Sequence, residues 1–283
     1  MSKRSPQADK DLYILKPHEI VPFILEKESK GMILYERKKD AGEIYWDLGS
    51  NWSGTKTLEE AFEKTTKGCK GCAELVKGPI VHILRKQNQW GIDYALPSDV
   101  FGPIVDPGAF TLGIPECCII PEIHRKHTLG DEGLDIICNV VVSACVDTDV
   151  IRARGIIAST LAIIAERMGI ATRIIIGYTN DAYDVRNDFA ITIKDYSQPL
   201  DIPLIAFYLV SPASSRRIGF SLFDAVDSKS YNSSHRYAAN TAYKSPRKTT
   251  IIIDHGHVRK AMLEPETAVE EALKILRNNG VIR

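Results

Sequence analysis

The residues whose types and spacing suggest chemistry lie at the ends of apolar runs or in polar turns. Asp254-His255-Gly256-His257 closes the run TTIIID, and an HxH spacing puts both imidazoles on one side of an extended strand, as zinc and iron sites use them. Asp254 falls on the opposite face, so a third ligand is lacking and packed or solvated histidines are the plainer reading. His124-Arg125-Lys126-His127 reads as a polar turn. Cys69-Lys70-Gly71-Cys72 is a lone CxxC; a zinc ribbon needs further ligands, and a thioredoxin-like site sits between a strand and a helix, whereas this motif follows a predicted helix. Cys117 and Cys118 open the apolar run CCIIP, where thiols pack rather than react, and no GxSxG nucleophile elbow occurs. The expectation is a protein that is not an enzyme, with no catalytic residue, no metal ligand and no cofactor.

The stretch DIICNVVVSACVDTDVIRARG, residues 135–155, carries a strand through a short polar loop into a helix, the place where α/β proteins put phosphates or metal ions. Residues 143–150, SACVDTDV, contain no glycine, which removes the close backbone approach of GxGxxG, and neither the glycines nor the Lys-Ser/Thr pair of a P-loop is present. Asp147 and Asp149, just ahead of the helix, read as its caps.

A different chemistry is concentrated in residues 228–248, SKSYNSSHRYAANTAYKSPRK. This stretch carries Lys229, Arg236, Lys244, Arg247 and Lys248, no acidic residue, and Tyr231, Tyr237 and Tyr243 at even spacing. Cations along phosphates and flat rings under bases are the two needs of a single-strand binder, with stacking worth ~1–3 kcal/mol per base. Arg216-Arg217 would extend the track. The plainer reading is a long solvated loop with its tyrosines packed on the sheet.

These groups need a framework, and composition allows an ordinary globular one: 283 residues, 44% hydrophobic and 25% charged. Lys plus Arg equals Asp plus Glu at 36 each, so binding to nucleic acid must come from a local patch rather than from bulk charge. The start lacks an export-type apolar segment and no apolar run approaches the ~20 residues of a membrane span, so a cytoplasmic protein without membrane contact is expected. Reduced thiols are then the default for Cys69, Cys72, Cys117, Cys118, Cys138 and Cys145.

HEIVPFILEKESKGMILYERKKD, residues 18–40, reads as one helix and one strand. Ser53 or Thr57 caps a helix that begins near Leu58, with Glu60 in a capping-box position. KGPIVHILRKQNQW is a helix or a strand, and the Pro/Gly-rich residues 96–122 read as an ordered irregular crossing. LDIICNVVVSA is a strand covered on both faces; IRARGIIASTLAIIAERMG is a helix stopped by Gly169, with Ile157, Leu161 and Ile164 on one stripe; ATRIIIGYT is a second buried strand, completing β-α-β. DFAITIKDY is a third strand, IPLIAFYLVSP a helix capped by Asp201 and ended near Pro212, RRIGFSLFDAV a strand, TTIIIDHG a late buried strand and PETAVEEALKILRNNG the last helix. The fold expected is α/β: a three-layer, mostly parallel sheet with helices on both faces and central strands at 134–144, 171–179 and 249–254. Residues 131–283 form this domain, and 1–130 form an N-terminal α+β region packed on it.

The order of these segments resembles a von Willebrand factor A-like domain, whose first strand ends in Asp-x-Ser-x-Ser, a ligand set for a divalent cation. Asn139-Val140-Val141-Val142-Ser143 aligns with that motif and keeps only Ser143, so the resemblance implies the fold with a degenerate metal site. A narrower resemblance, carried by Trp52 and Gly54, Pro115-Glu116-Cys117, Arg154-Gly155, and Pro212 with Arg216-Arg217, is to a family of uncharacterised proteins of tailed bacteriophages, and implies viral origin. The function expected is a phage-encoded, non-enzymatic single-stranded-DNA-binding accessory factor for viral transcription or replication in the host cytoplasm, with a viral polymerase or ATPase as a further partner. The alternative is a protein-interaction adaptor or virion-associated protein that uses the A-domain-like surface without nucleic acid.

Overall fold

The computed structural model describes residues 11–42, 53–86, 98–99, 104–105, 111, 118–119, 133–141, 146–182, 185–226, 250–253 and 264–282. Its strands are β1 (Asp11–Leu15), β2 (Ser98–Asp99), β3 (Ile104–Val105), β4 (Cys118–Ile119), β5 (Leu134–Asn139), β6 (Thr172–Ala182), β7 (Val185–Lys194) and β8 (Thr250–Ile253). The helices are α1 (Pro17–Ser29), α2 (Tyr35–Asp40), α3 (Leu58–Lys67), α4 (Lys70–Lys86), α5 (Thr148–Arg167), α6 (Ile202–Val210), α7 (Phe220–Val226) and α8 (Pro265–Asn278), with a π-helical turn at Ser214–Gly219. The main sheet has the order β1-β7-β6-β5-β8, and β2-β4-β3 make a small antiparallel sheet within the Pro/Gly-rich crossing.

The chain is α/β, and the sheet is mixed rather than mostly parallel. β5–α5–β6 is the expected parallel unit, in register from Leu134 opposite Thr172 to Asn139 opposite Gly177. DFAITIKDY then returns antiparallel, because only residues 183–184 separate the ends of β6 and β7, too few for a crossover. Of the expected strand 249–254, residues Thr250–Ile253 form β8, parallel to β5 but at the edge of the sheet rather than at its centre. The opposite edge is β1, parallel to β7 and contributed by the N-terminal region.

The described helices lie on one face, not on both. Strand residues Ile136, Cys138, Ile174, Ile176, Tyr178, Phe189, Ile191, Ile251 and Ile253 share the main buried cluster with the helices. The alternate residues Ile137, Ile175 and Ala190 form a separate cluster that holds no helical residue. α5, α6 and α1 meet the strands, while α4 packs on α5 and α6, and α8 on α5 and α4. The described layers therefore run sheet, helix, helix. This explains why α5 is buried all round from Ala153 to Ala165, with Ile157, Leu161, Ile164, Ala158, Ala162 and Ala165 among the buried residues. A Cβ on Gly155 would stand 2.1 Å from the Leu209 carbonyl oxygen, so glycine is what lets α5 and α6 cross this closely.

Caps appear where the residue types demand them. Thr57 accepts from the Glu60 N–H, Asp147 from Asp149 and Asp201 from Leu204. Other segments differ from expectation. MILYERK holds helix α2 instead of a strand, and KGPIVHILRK is helical, with Pro79 inside α4. RRIGFSLFDAV is the π turn and α7, not a strand. The Ser211 Oγ accepts from the Ala213 N–H, so Ser211-Pro212 opens a new helical segment as well as closing α6. Cys69 and Cys72 are joined by a disulfide, against the expectation of reduced thiols, while Cys138 is buried.

Candidate functional site

Of the features singled out in the sequence, the strand-loop-helix junction at the C-terminal end of β5 is the one the described residues build in detail. Asn139, Val140 and Val141 are buried there, and the Val140 N–H donates to Gly177 O at 3.0 Å, which carries the pairing past the end of the strand. Past residues 142–145, outside the described residues, Asp147 turns its carboxylate onto the first turn of α5, with Oδ1 3.0 Å from the Asp149 N–H. Arg152 pairs with Asp149 at 3.3 Å. Asp147 is thus the cap, whereas Asp149 lies within the first turn and complements the helix start as a charge.

Two arginines bracket this junction from inside. Arg154, on the second turn of α5, is 1% exposed and donates from Nη2 to Val140 O at 3.4 Å. Its Nε and Nη1 are buried without a hydrogen-bond partner. Arg216, from the π turn, is also 1% exposed and donates from Nη2 to Val146 O at 2.6 Å and from Nη1 to Thr148 Oγ1 at 3.3 Å. Burial pulls the Arg216 guanidinium down to about 10, against the pull of the Asp147 carboxylate. Beneath the π turn the Tyr178 hydroxyl and Ser214 Oγ are 2.8 Å apart, and burial raises the Tyr178 phenol, keeping it neutral. A Cβ on Gly219 would meet the Tyr178 ring at 2.8 Å, so this glycine seats the turn on the sheet.

The chemistry follows from charge. A guanidinium fixed at the strand end repels a divalent cation and favours an anion, and the hydrogen bonds it makes go to neutral oxygens. Among the described residues no group of three or more His, Cys, Asp or Glu side chains is placed to hold a metal ion.

Arg217, next in sequence to Arg216, has a different role. It is 3% exposed, and its Nη1 pairs with Glu36 at 2.8 Å and Asp40 at 2.7 Å, while Nη2 donates to the carbonyls of Thr55 and Lys56 at 3.3 and 2.9 Å. It ties the π turn to α2 and to the start of α3. Burial pushes the Glu36 carboxyl up to about 7, against Lys39 and Arg217, with Asp224 and Asp40 adding to the rise. Arg216 and Arg217 are therefore interior residues, not part of an exposed track. Lys229, Tyr231, Arg236, Tyr237, Tyr243, Lys244, Arg247 and Lys248 lie outside the described residues, as do His255, His257, His124 and His127. The sequence reading missed Arg154, although a signal was available: it falls on the inward stripe with Ala158, Leu161 and Ala165, an odd place for a charge.

A concavity of about 350 Å³ opens at the other end of the sheet between the start of α1, the end of β7 and the first turn of α6, and is lined in part by Lys16, His18, Asp195, Gln198, Thr66 and Leu204.

The architecture is that of an α/β protein whose main parallel crossover ends on buried cations. The chain belongs to the family described as "Domain of unknown function (DUF7192)", whose model matches residues 19–281. Neither the curated proteins nor the solved structures contain a match to it. No helix among the described residues is long and apolar enough to cross a membrane.

Proposed function

We propose that this protein is a phage-encoded, non-enzymatic single-stranded-DNA-binding accessory factor for viral transcription or replication, built on a von Willebrand A-like framework and working in the host cytoplasm beside a viral polymerase or ATPase. The observation that carries the reading is the concentration of cations in one acid-free, tyrosine-bearing stretch of a chain with 36 basic and 36 acidic residues. That stretch connects α7, which ends at Val226, to the edge strand β8, which begins at Thr250. Three of the cations in the fold are committed to carboxylates: Arg173 to Asp135, Lys194 to Glu166, and Arg217 to Glu36 and Asp40. In this reading a phosphate chain is met by Lys229, Arg236, Lys244, Arg247 and Lys248, with Tyr231, Tyr237 and Tyr243 under the bases. The A-like reading is supported by the β5–α5–β6 unit, and Arg154 at the strand end supplies a positive charge where that framework otherwise holds a cation.

Fluorescence anisotropy with labelled single-stranded and duplex oligonucleotides tests this. Single strands bind more tightly, because paired bases hide the faces the tyrosines need. Alanine at Arg236, Lys244, Arg247 and Lys248 flattens the salt dependence, since fewer counterions are released. Alanine at Tyr237 and Tyr243 weakens binding with the slope kept. No affinity for single strands removes the reading.

The adaptor reading has an observation of its own. Leu12 and Ile14 of β1, 47% and 66% exposed, and Ile252 of β8, 40% exposed, share the sheet face away from the described helices. Exposed aliphatics on strand edges are the chemistry of protein contacts.

A further inference from the structure

The CxxC that follows α3 also opens α4, a 17-residue helix. The Cys69 carbonyl accepts from the Ala73 N–H at 2.9 Å, which makes Cys69 the residue that starts the helix. Its sulfur acts as the cap: Sγ accepts from the Cys72 N–H at 3.2 Å. The backbone is clamped from outside. The Cys69 N–H donates to Pro203 O at 2.9 Å, and a Cβ on Gly68 would stand 2.4 Å from the Pro203 carbonyl carbon, so the turn is seated on the first turn of α6. Cys69 is 9% exposed, whereas Cys72 is only half-buried and follows the exposed Lys70 and Gly71. Thr66 and Leu204, on either side of this turn, line the cleft of about 350 Å³.

We propose that Cys69 and Cys72 form a thiol–disulfide exchange site, whose partner is a small dithiol or a dithiol protein and whose entry point is the Cys72 sulfur. A partner thiolate attacks Cys72 Sγ, the Cys69–Cys72 bond breaks and Cys69 leaves as a thiolate. The leaving sulfur already accepts a backbone N–H at the positive end of a helix, the setting that stabilises developing negative charge. The partner's second thiol then attacks the mixed disulfide and releases Cys72, so two electrons and two protons pass to the pair and the partner becomes a disulfide. The clamp on Pro203 holds both cysteines within bonding reach, at a Cα separation of 5.2 Å, so the reaction is reversible without rebuilding α4. The site adds redox responsiveness to the binding function and is independent of it.

The test is a redox titration of the full-length folded protein in poised mixtures of reduced and oxidised dithiothreitol, quenched with acid, tagged with a maleimide and read by peptide mass. Cys69 and Cys72 should gain and lose tags together in one two-electron transition, while the buried Cys138 stays untagged before unfolding. With glutathione disulfide as probe, Cys69→Ala should form a mixed disulfide at Cys72 at least about tenfold faster than Cys72→Ala forms one at Cys69, since accessibility governs exchange. A bond that resists excess dithiothreitol until the protein unfolds would make the bridge purely structural and overturn the proposal. Pairing that never forms in the oxidised mixtures, or equal rates in the two variants, would overturn it as well.

Discussion

The two ends of β5 treat buried charge in opposite ways. At the start of the strand, Asp135 is fully buried and meets Arg173 through both oxygens, at 3.0 and 2.6 Å, while the Tyr196 hydroxyl donates to the same carboxylate. Arg173 also lies over the Tyr196 ring, 5.2 Å from its centroid. Beside it Lys194 Nζ reaches Glu166 Oε1 and Thr172 O, both at 2.7 Å. Each cation there has a carboxylate. At the far end, Arg154 meets one carbonyl and leaves two nitrogens without partners. Closing an ion pair inside a protein fixes geometry, whereas a buried charge without a counter-ion costs stability and persists only where something else requires it. The first end therefore reads as a clamp between strands, and the second as an end whose charge is unmet, at the side of the sheet where open α/β sheets place ligands.

The largest effect expected from this contrast is at the clamp. Asp135→Ala strips Arg173 of its partner and should cost about 3–5 kcal/mol, the range for breaking a buried pair. Urea unfolding checks it, and a loss under about 1 kcal/mol would mean that the two ends are alike.

A smaller effect, set by pH, is expected at the third charged cluster. Glu36 is held up to about 7, above its ordinary 4.5, chiefly by burial. A carboxyl with a raised pKa binds its proton more tightly in the folded chain, so its unfavourable contribution is absent below about pH 4.5 and grows as pH rises through about 7, reaching about 3 kcal/mol. Glu36→Gln should remove this slope. The variant should be more stable than the parent at pH 8 and match it near pH 4.5, and parallel curves across that range would show that Arg217 already compensates the charge.

How far the sequence disclosed these features depends on the range of the interactions. β5 and β6 announce themselves through β-branched runs, and α5 through Gly169 and its alanine stripe, because both patterns are local. β1 is only DLYIL, and its place beside β7 depends on residues far along the chain. The IGFSLF alternation imitates a strand, but Pro212 starts a helix and the Tyr178 ring fixes Gly219, so a contact with β6 overrides the local pattern. Arg217 and Asp40 are 177 positions apart, which is why Arg216-Arg217 looked like one surface track when it is two separate interior anchors. The mixed sheet was readable in principle, since two residues between β6 and β7 permit only a hairpin.

The smallest expected effect has the opposite sign and decides what the far end of β5 is for. Arg154→Met keeps an unbranched stem of similar length in the space beside Val140 while removing the charge and the two unpartnered nitrogens. If that charge is an unmet cost, the variant should unfold at higher urea, with a gain of about 1–2 kcal/mol, because replacing buried ionic groups by well-packed apolar ones is often stabilising. Oligonucleotide anisotropy on the same protein then separates two roles. Weaker binding in a more stable protein would show that Arg154 is retained for a ligand at the cost of stability. Unchanged binding would confine the ligand to residues 228–248. A loss of stability comparable to that of Asp135→Ala would show that the guanidinium holds the strand end together, and the contrast between the two ends of β5 would fall.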